Sequence, residues 1–128
     1  MKPDPEYLKQ LLTAFRDAPN PTTDIRELEG AGLSLEDPEF VFHMMLLQDD
    51  CFVESASQAG GIGISSTAPW SVIPLRLTAA GHQFAEAMED KKVLQTLKNS
   101  FVGASISTMR DVAVTIIKAE IAKHIGSQ

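Results

Sequence analysis

Apolar residues recur at three- and four-residue spacing in five stretches of this chain, and in alternation in three shorter ones. The pattern centres on residues 33–54, where Phe40, Met44, Leu47 and Cys51 form one helical row, widened by Val41 and Met45. The row runs directly into a β-prone segment at 51–55. Ser34 is the expected cap, with Asp37 three residues on completing a capping-box-like pair, and Pro38 is tolerable because it falls in the first turn. Cys51 ends the row and is expected to point inward as a small core residue.

On the N-terminal side, residues 3–17 predict a first helix, capped by Asp4 with Pro5 at its first position. Tyr7 or Leu8, Leu11, Leu12 and Phe15 are its buried face. The Ala18-Pro-Asn-Pro21 run stops it. Residues 22–28 alternate around Ile25 and Leu28 and predict a short strand, with one helical turn as the alternative. On the C-terminal side, residues 71–77 predict a strand with Ile73, Leu75 and Leu77 on one face; Pro74 makes it an edge or a bulge. The Gly/Ser-rich residues 56–70 between the strands predict a long mobile loop. Thr78 caps a helix over 79–90 that buries Phe84, Ala85 and Met88, and a second helix follows over 91–101. Gly103 interrupts, and a last helix covers 105–125, ended by Gly126.

That last helix carries two apolar stripes where a surface helix needs one. Val112, Ile116 and Ala119 make the first; Ala113 or Val114, Ile117, Ile121 and Ile125 make the second. Either the helix is enclosed by the others, or Val112, Ile116, Ile117, Ile121 and Ile125 dock a twin chain in a homodimer.

Length and composition change this picture little: 128 residues make one domain, 1–90 as core and 91–128 as C-terminal helices, able to bury its own centre. One cysteine excludes an internal disulfide and suits a reducing compartment. The start of the chain lacks the pattern of a signal peptide, and no apolar run nears the roughly 20 residues that span a bilayer. A cytoplasmic location is expected. Charge changes the picture more. The net charge is −6, and between Arg26 and Arg76 there is no Lys or Arg, while Glu27, Glu29, Glu36, Asp37, Glu39, Asp49, Asp50 and Glu54 all fall there.

A helix handing over to a strand, a Gly-rich loop and a second strand is the order of a winged helix. The expected fold class is α+β, a winged-helix-like domain with a small antiparallel sheet and a C-terminal helical extension. More closely, the chain resembles an uncharacterised bacterial and prophage family, the domain-of-unknown-function family 2513. The likeness rests on Leu46-Leu47 before Phe52-Val53, on the box Leu77-Thr-Ala-Ala-Gly-His-Gln-Phe84, on Asp90-Lys-Lys-Val93 and on the ending Ile125-Gly126. It covers nearly the whole chain. Asp50-Cys51 stands where members carry Ala-Gly, and Leu94 where they carry Trp, so the turn out of the central helix departs from the family pattern. The resemblance implies the fold and brings no activity with it.

A recognition helix reads bases with Arg, Lys, Asn or Gln and neutralises phosphates along its flanks. From Leu35 to Asp50 only Gln48 has that chemistry, against five carboxylates. Nucleic acid is therefore not expected on this helix, although Lys91, Lys92 and Lys98 offer a non-specific basic alternative. Gly60-Gly61-Ile62-Gly63 lacks the helix and the Lys or Ser/Thr that a phosphate cradle needs. Cys51 among Asp49, Asp50 and Glu54 sits in the wrong field for a nucleophile. His43, His82 and His124 have no metal-ligand spacing. His82 and Glu86 lie one turn apart, a spacing more often met in structural hydrogen bonds than in acid–base pairs.

No catalytic, cofactor or metal residue is expected, and no enzyme. The expectation is a small regulatory or protein-interaction module meeting a basic protein partner through Glu36, Asp37, Glu39, His43, Gln48, Ile62 and Trp70. A DNA-binding winged-helix regulator is the alternative.

Overall fold

The structure is a computed structural model and describes residues 1–55 and 73–126. It is a mostly helical α+β domain, in the order α1 (Pro5–Arg16), α2 (Ile25–Gly30), α3 (Pro38–Asp49), β1 (Val53–Ser55), β2 (Leu75–Leu77), α4 (Ala79–Met88), α5 (Lys91–Ser100) and α6 (Ile106–Gly126). No helix among the described residues is long and apolar enough to cross a membrane.

Helix starts are set by side-chain oxygens that accept otherwise orphaned N–H groups. Asp4, Asp24, Asp37, Thr78 and Asp90 do this for α1 to α5 in turn. Four of these five caps are carboxylates, which also suit the positive end of each helix dipole. Leu8, Leu11 and Leu12 of α1, Phe40, Met44 and Leu47 of α3, and Phe84 and Met88 of α4 meet in one core with Leu75, Leu97, Met109 and Ala113.

β1 and β2 pair antiparallel, Val53 opposite Leu77 and Ser55 opposite Leu75. Thr23 bridges the other side of Leu75, with N–H···O bonds of 2.8 and 2.7 Å. Pro74 lies just before β2, where no ladder donor is lost. The 22–28 segment thus corrects the strand expectation. Only Thr23 pairs with the sheet, and Asp24 then accepts from Glu27 N–H and opens α2.

The start of α3 is a second correction. Asp37 is the cap and Pro38 the first helical residue, while the Ser34 hydroxyl accepts from Glu36 N–H in the preceding turn. The end of α3 is a third. Phe52 N–H bonds Leu47 C=O and Cys51 N–H bonds Gln48 C=O, a Schellman closure with Cys51 in the left-handed region at φ +61°. The same closure ends α2, where Leu33 and Gly32 donate to Leu28 and Glu29 and Gly32 has φ +94°. A left-handed residue turns its side chain off the helical row, so Cys51 is exposed and does not join the core.

The turn after α3 is clamped by α4. Thr78 donates to Cys51 C=O at 2.6 Å and accepts from Gly81 N–H, and Thr78 N–H donates to Phe52 C=O. Gly81 lies so close to the Phe52 carbonyl that a Cβ there would overlap it. The loop expected over 56–70 lies outside the described residues.

Candidate functional site

Helix α3 presents three kinds of surface. Phe40, Met44, Leu47 and His43 face the core. Opposite them Pro38, Met45 and Asp49 are exposed, with Val41, Phe42, Leu46 and Gln48 half-buried at the sides. At the two ends stand carboxylates: Glu36, Asp37 and Glu39 before the first turn or in it, Asp49 and Asp50 at the last. The result is a short apolar strip around Phe42 and Met45, bracketed by negative charge.

His43 corrects the sequence expectation that placed it on a partner-binding surface. Its side chain is fully buried, with Nε2 accepting from Asp4 N–H at 3.0 Å and Nδ1 2.7 Å from Glu39 C=O. Because Asp4 N–H must donate, Nε2 is the bare nitrogen and Nδ1 carries the proton. A neutral imidazole with both nitrogens bonded is stable in a core. It ties the start of α1 to the first turn of α3. Tyr7 stacks on it at 4.8 Å between ring centres, and Phe42 meets it edge-on at 5.2 Å. Burial, followed by the charges of Asp37 and Glu39, pushes the Tyr7 hydroxyl up to about 12, so it stays neutral at physiological pH.

Among the described residues the cations are placed elsewhere. Arg16 pairs with Asp17 and Glu89, Arg26 with Asp24, Arg76 with Glu54, Lys98 with Glu6 and Arg110 with Asp111. Glu36, Asp37, Asp49 and Asp50 have no ion-pair partner there. A groove of about 660 Å³ between α1 and α2 repeats the sign: Glu6, Asp17 and Glu27 line it with Lys9. A cationic groove of about 300 Å³ shares Lys9 with it, where Lys9 of α1 meets Lys91 and Lys98 of α5 beside Gln95 and Asn99.

Of the remaining sequence candidates, Gln48 is half-buried on α3, and Ile62 and Trp70 lie outside the described residues. Val112, Ile116 and Ile117 pack partly against the core, whereas Ile121 and Ile125 are exposed. Exposed His82 on α4 makes no side-chain bond to Glu86 among the described residues. No group of three or more His, Cys, Asp or Glu there is placed to hold a metal ion. Sequence reasoning missed the structural role of His43. Its signal was the position itself, one residue before Met44 and three after Phe40, inside the apolar arc.

Compared with known proteins, the chain matches no family model, no curated protein and no solved structure. The class that fold and surface define is therefore the working description: a small α+β domain with an acidic, apolar-centred helix face.

Proposed function

We propose that this protein is a non-catalytic interaction module that docks a basic protein partner on the exposed face of α3, in the cytoplasm. The observation that carries this is the charge arrangement. Carboxylates without ion-pair partners among the described residues stand at both ends of a helix whose middle offers exposed Met45 beside half-buried Phe42, and every described Arg is paired elsewhere. An acidic rim steers a basic partner by its long-range field, and a central apolar strip supplies the contact area that charge alone lacks. The element order, with Thr23 bridging Leu75 and β1 and β2 following α3, supports a winged-helix-like arrangement. The likeness to the prophage family belongs to the same proposal.

The test is affinity capture from the source cell's lysate, followed by measured affinity for the captured protein against salt. The partner should be basic, and binding should weaken steeply with ionic strength. Reversal of exposed Glu36 and Asp49 to Lys should remove it. Asp37 and Glu39 are poor sites for reversal, because one caps α3 and the other lies beside His43. Capture that ignores both reversals overturns the reading.

A second reading draws on the groove of Lys9, Lys91 and Lys98: nucleic-acid binding by the regulator architecture, moved from α3 to α5. Salt-sensitive retardation of duplex DNA, lost in Lys91→Glu and retained in Glu36→Lys, would favour it over the first.

A further inference from the structure

Helix α6 outruns the body on which it packs. Ile106, Met109 and Ala113 are buried, and Val112, Ile116 and Ile117 are partly covered. From Lys118 onward every described residue is exposed except Glu120, with Ile121 at 53% and Ile125 at 64%. So short a helical end has little stability of its own in water, and bare isoleucines do nothing to support it. Beside this overhang, α4 and α6 enclose a groove of about 450 Å³ lined by Gln83, Glu86, Ala87, Val114, Ile117, Lys118 and Ile121. Its floor is apolar. Its α4 wall carries Glu86 and its α6 wall Lys118, and neither has an ion-pair partner among the described residues.

We propose that a second copy of this chain covers the groove, related by a two-fold axis running along it. The charges select this occupant over others. Rotation about such an axis exchanges the two walls, so each Glu86 comes to face Lys118 of the other copy, and the surface is complementary to itself. A uniformly basic or acidic partner meets repulsion on one wall. The same axis sets each α6 against the other copy's α4, with the two α6 helices parallel on the diagonal of a four-helix arrangement, so Val114, Ile117 and Ile121 of both copies close over the apolar floor.

Sedimentation equilibrium of the full chain tests this. The expected mass is twice the 13.9 kDa of one chain at micromolar concentration. Ile121→Lys should weaken association roughly tenfold or more with an unchanged circular dichroism spectrum, since that side chain is mostly exposed. Glu86→Lys and Lys118→Glu should each weaken it as homodimers, by roughly threefold to tenfold. The decisive arm mixes those two single variants. In the mixed dimer the lysine introduced on one α4 faces the glutamate introduced on the other copy's α6, and the remaining native Glu86 faces the remaining native Lys118. Opposite charges meet at both places, so the mixture should associate as tightly as the native chain. A monomer at all concentrations, a dimer indifferent to Ile121→Lys, or failure of the mixed pair to recover each overturns the proposal.

Discussion

Two apolar surfaces among the described residues, on α3 and between α4 and α6, have charges of different kinds around them. The strip on α3, Phe42 and Met45, stands between carboxylates at both ends. The α4–α6 groove stands between Glu86 and Lys118. Apolar area says only that something is to be covered. The signs at the rim say what. A same-sign rim repels a copy of itself and calls for an opposite, different partner. A mixed rim can be satisfied by rotation onto itself. The two proposals would thus place a heterologous face and a self-complementary one on separate helices.

The largest effect should come from the point where the two regions are joined. Gly81 of α4 lies beneath the Phe52 carbonyl, immediately after α3, so Gly81→Ala forces α4 away from the α3 turn. The neighbour is backbone and cannot rotate aside. Denaturant unfolding should show a loss of about 3 kcal/mol or more, with both binding activities lost together. A soluble variant of native stability would mean the two regions are not locked to each other.

Next in size are the substitutions that separate the faces. Ile121→Lys should break self-association and leave capture of the basic partner unchanged. The Glu36→Lys and Asp49→Lys pair should abolish capture, a loss of about a hundredfold or more, and leave the sedimentation mass unchanged. Isothermal titration and sedimentation on the same preparations check both. Loss of both activities in either variant would merge the two surfaces into one.

The sequence disclosed these regions unevenly. Four helices read directly, because Asp4 and Thr78 have few competitors as caps and the apolar rows of α1, α4, α5 and α6 recur regularly; Asp90, read as the end of the 79–90 helix, is instead the cap of α5. The start of α3 was misplaced because Ser34 and Asp37 are both able to cap; Pro38, favoured at a first helical position, is the residue that decides. Residues 22–28 carried two true signals at once, a strand-like Thr23 and a capping Asp24 with Glu27 three residues on. Alternation alone could not apportion them. Cys51 was extrapolated along a helix that had already ended, and a positive φ is invisible to a periodicity of 3.6. His43 reads from sequence as either a helix-surface residue or a capped core edge, and the partner-facing set took the first. Yet a neutral imidazole between one N–H and one C=O is as buryable as a small aromatic. The acidic character of α3 and the double stripe of α6 were legible from residue types alone. The groove wall at Glu86 was not, because it depends on which turn of α4 lies beside α6.

A smaller effect sits at the end of α3. Gly32 and Cys51 hold equivalent places in two Schellman closures, but only one is a glycine. A side chain in the left-handed region costs roughly 1–2 kcal/mol, partly returned because glycine gains more freedom on unfolding. Cys51→Gly should therefore stabilise the domain by about 1 kcal/mol in denaturant unfolding, with both binding activities unchanged. Loss of capture in that variant would place Cys51 in the α3 face.

The smallest effect concerns a surface carboxyl pair between α5 and α6. Glu120 and Asp90, the cap of α5, interact as a carboxyl pair that can bond while the pair holds a proton. That bond, then burial and the Asp90 charge, raise the Glu120 carboxyl above its ordinary 4.5. Asp90 moves the other way. Burial pulls it upward, but the bond from Glu120, the N–H groups of Val93 and Lys92 and the Lys92 charge leave it below 3.8. Asp90 therefore contributes stability that is full above pH 3.8 and lost as pH falls through its lower folded value. Glu120, raised in the fold, contributes stability that is full below 4.5 and lost as pH rises through its folded value. As pH rises through the raised Glu120 value the shared proton is lost and the two charges repel. Glu120→Gln keeps a donor for Asp90 at every pH and removes the repulsion. Its unfolding midpoint should exceed that of the native chain at pH 7, with the gain fading toward pH 4.5, where Glu120 carries its own proton. The gain should be slight, because the pair lies at the solvent-facing surface. A difference that stays constant across that range would remove the shared proton from the α5–α6 joint.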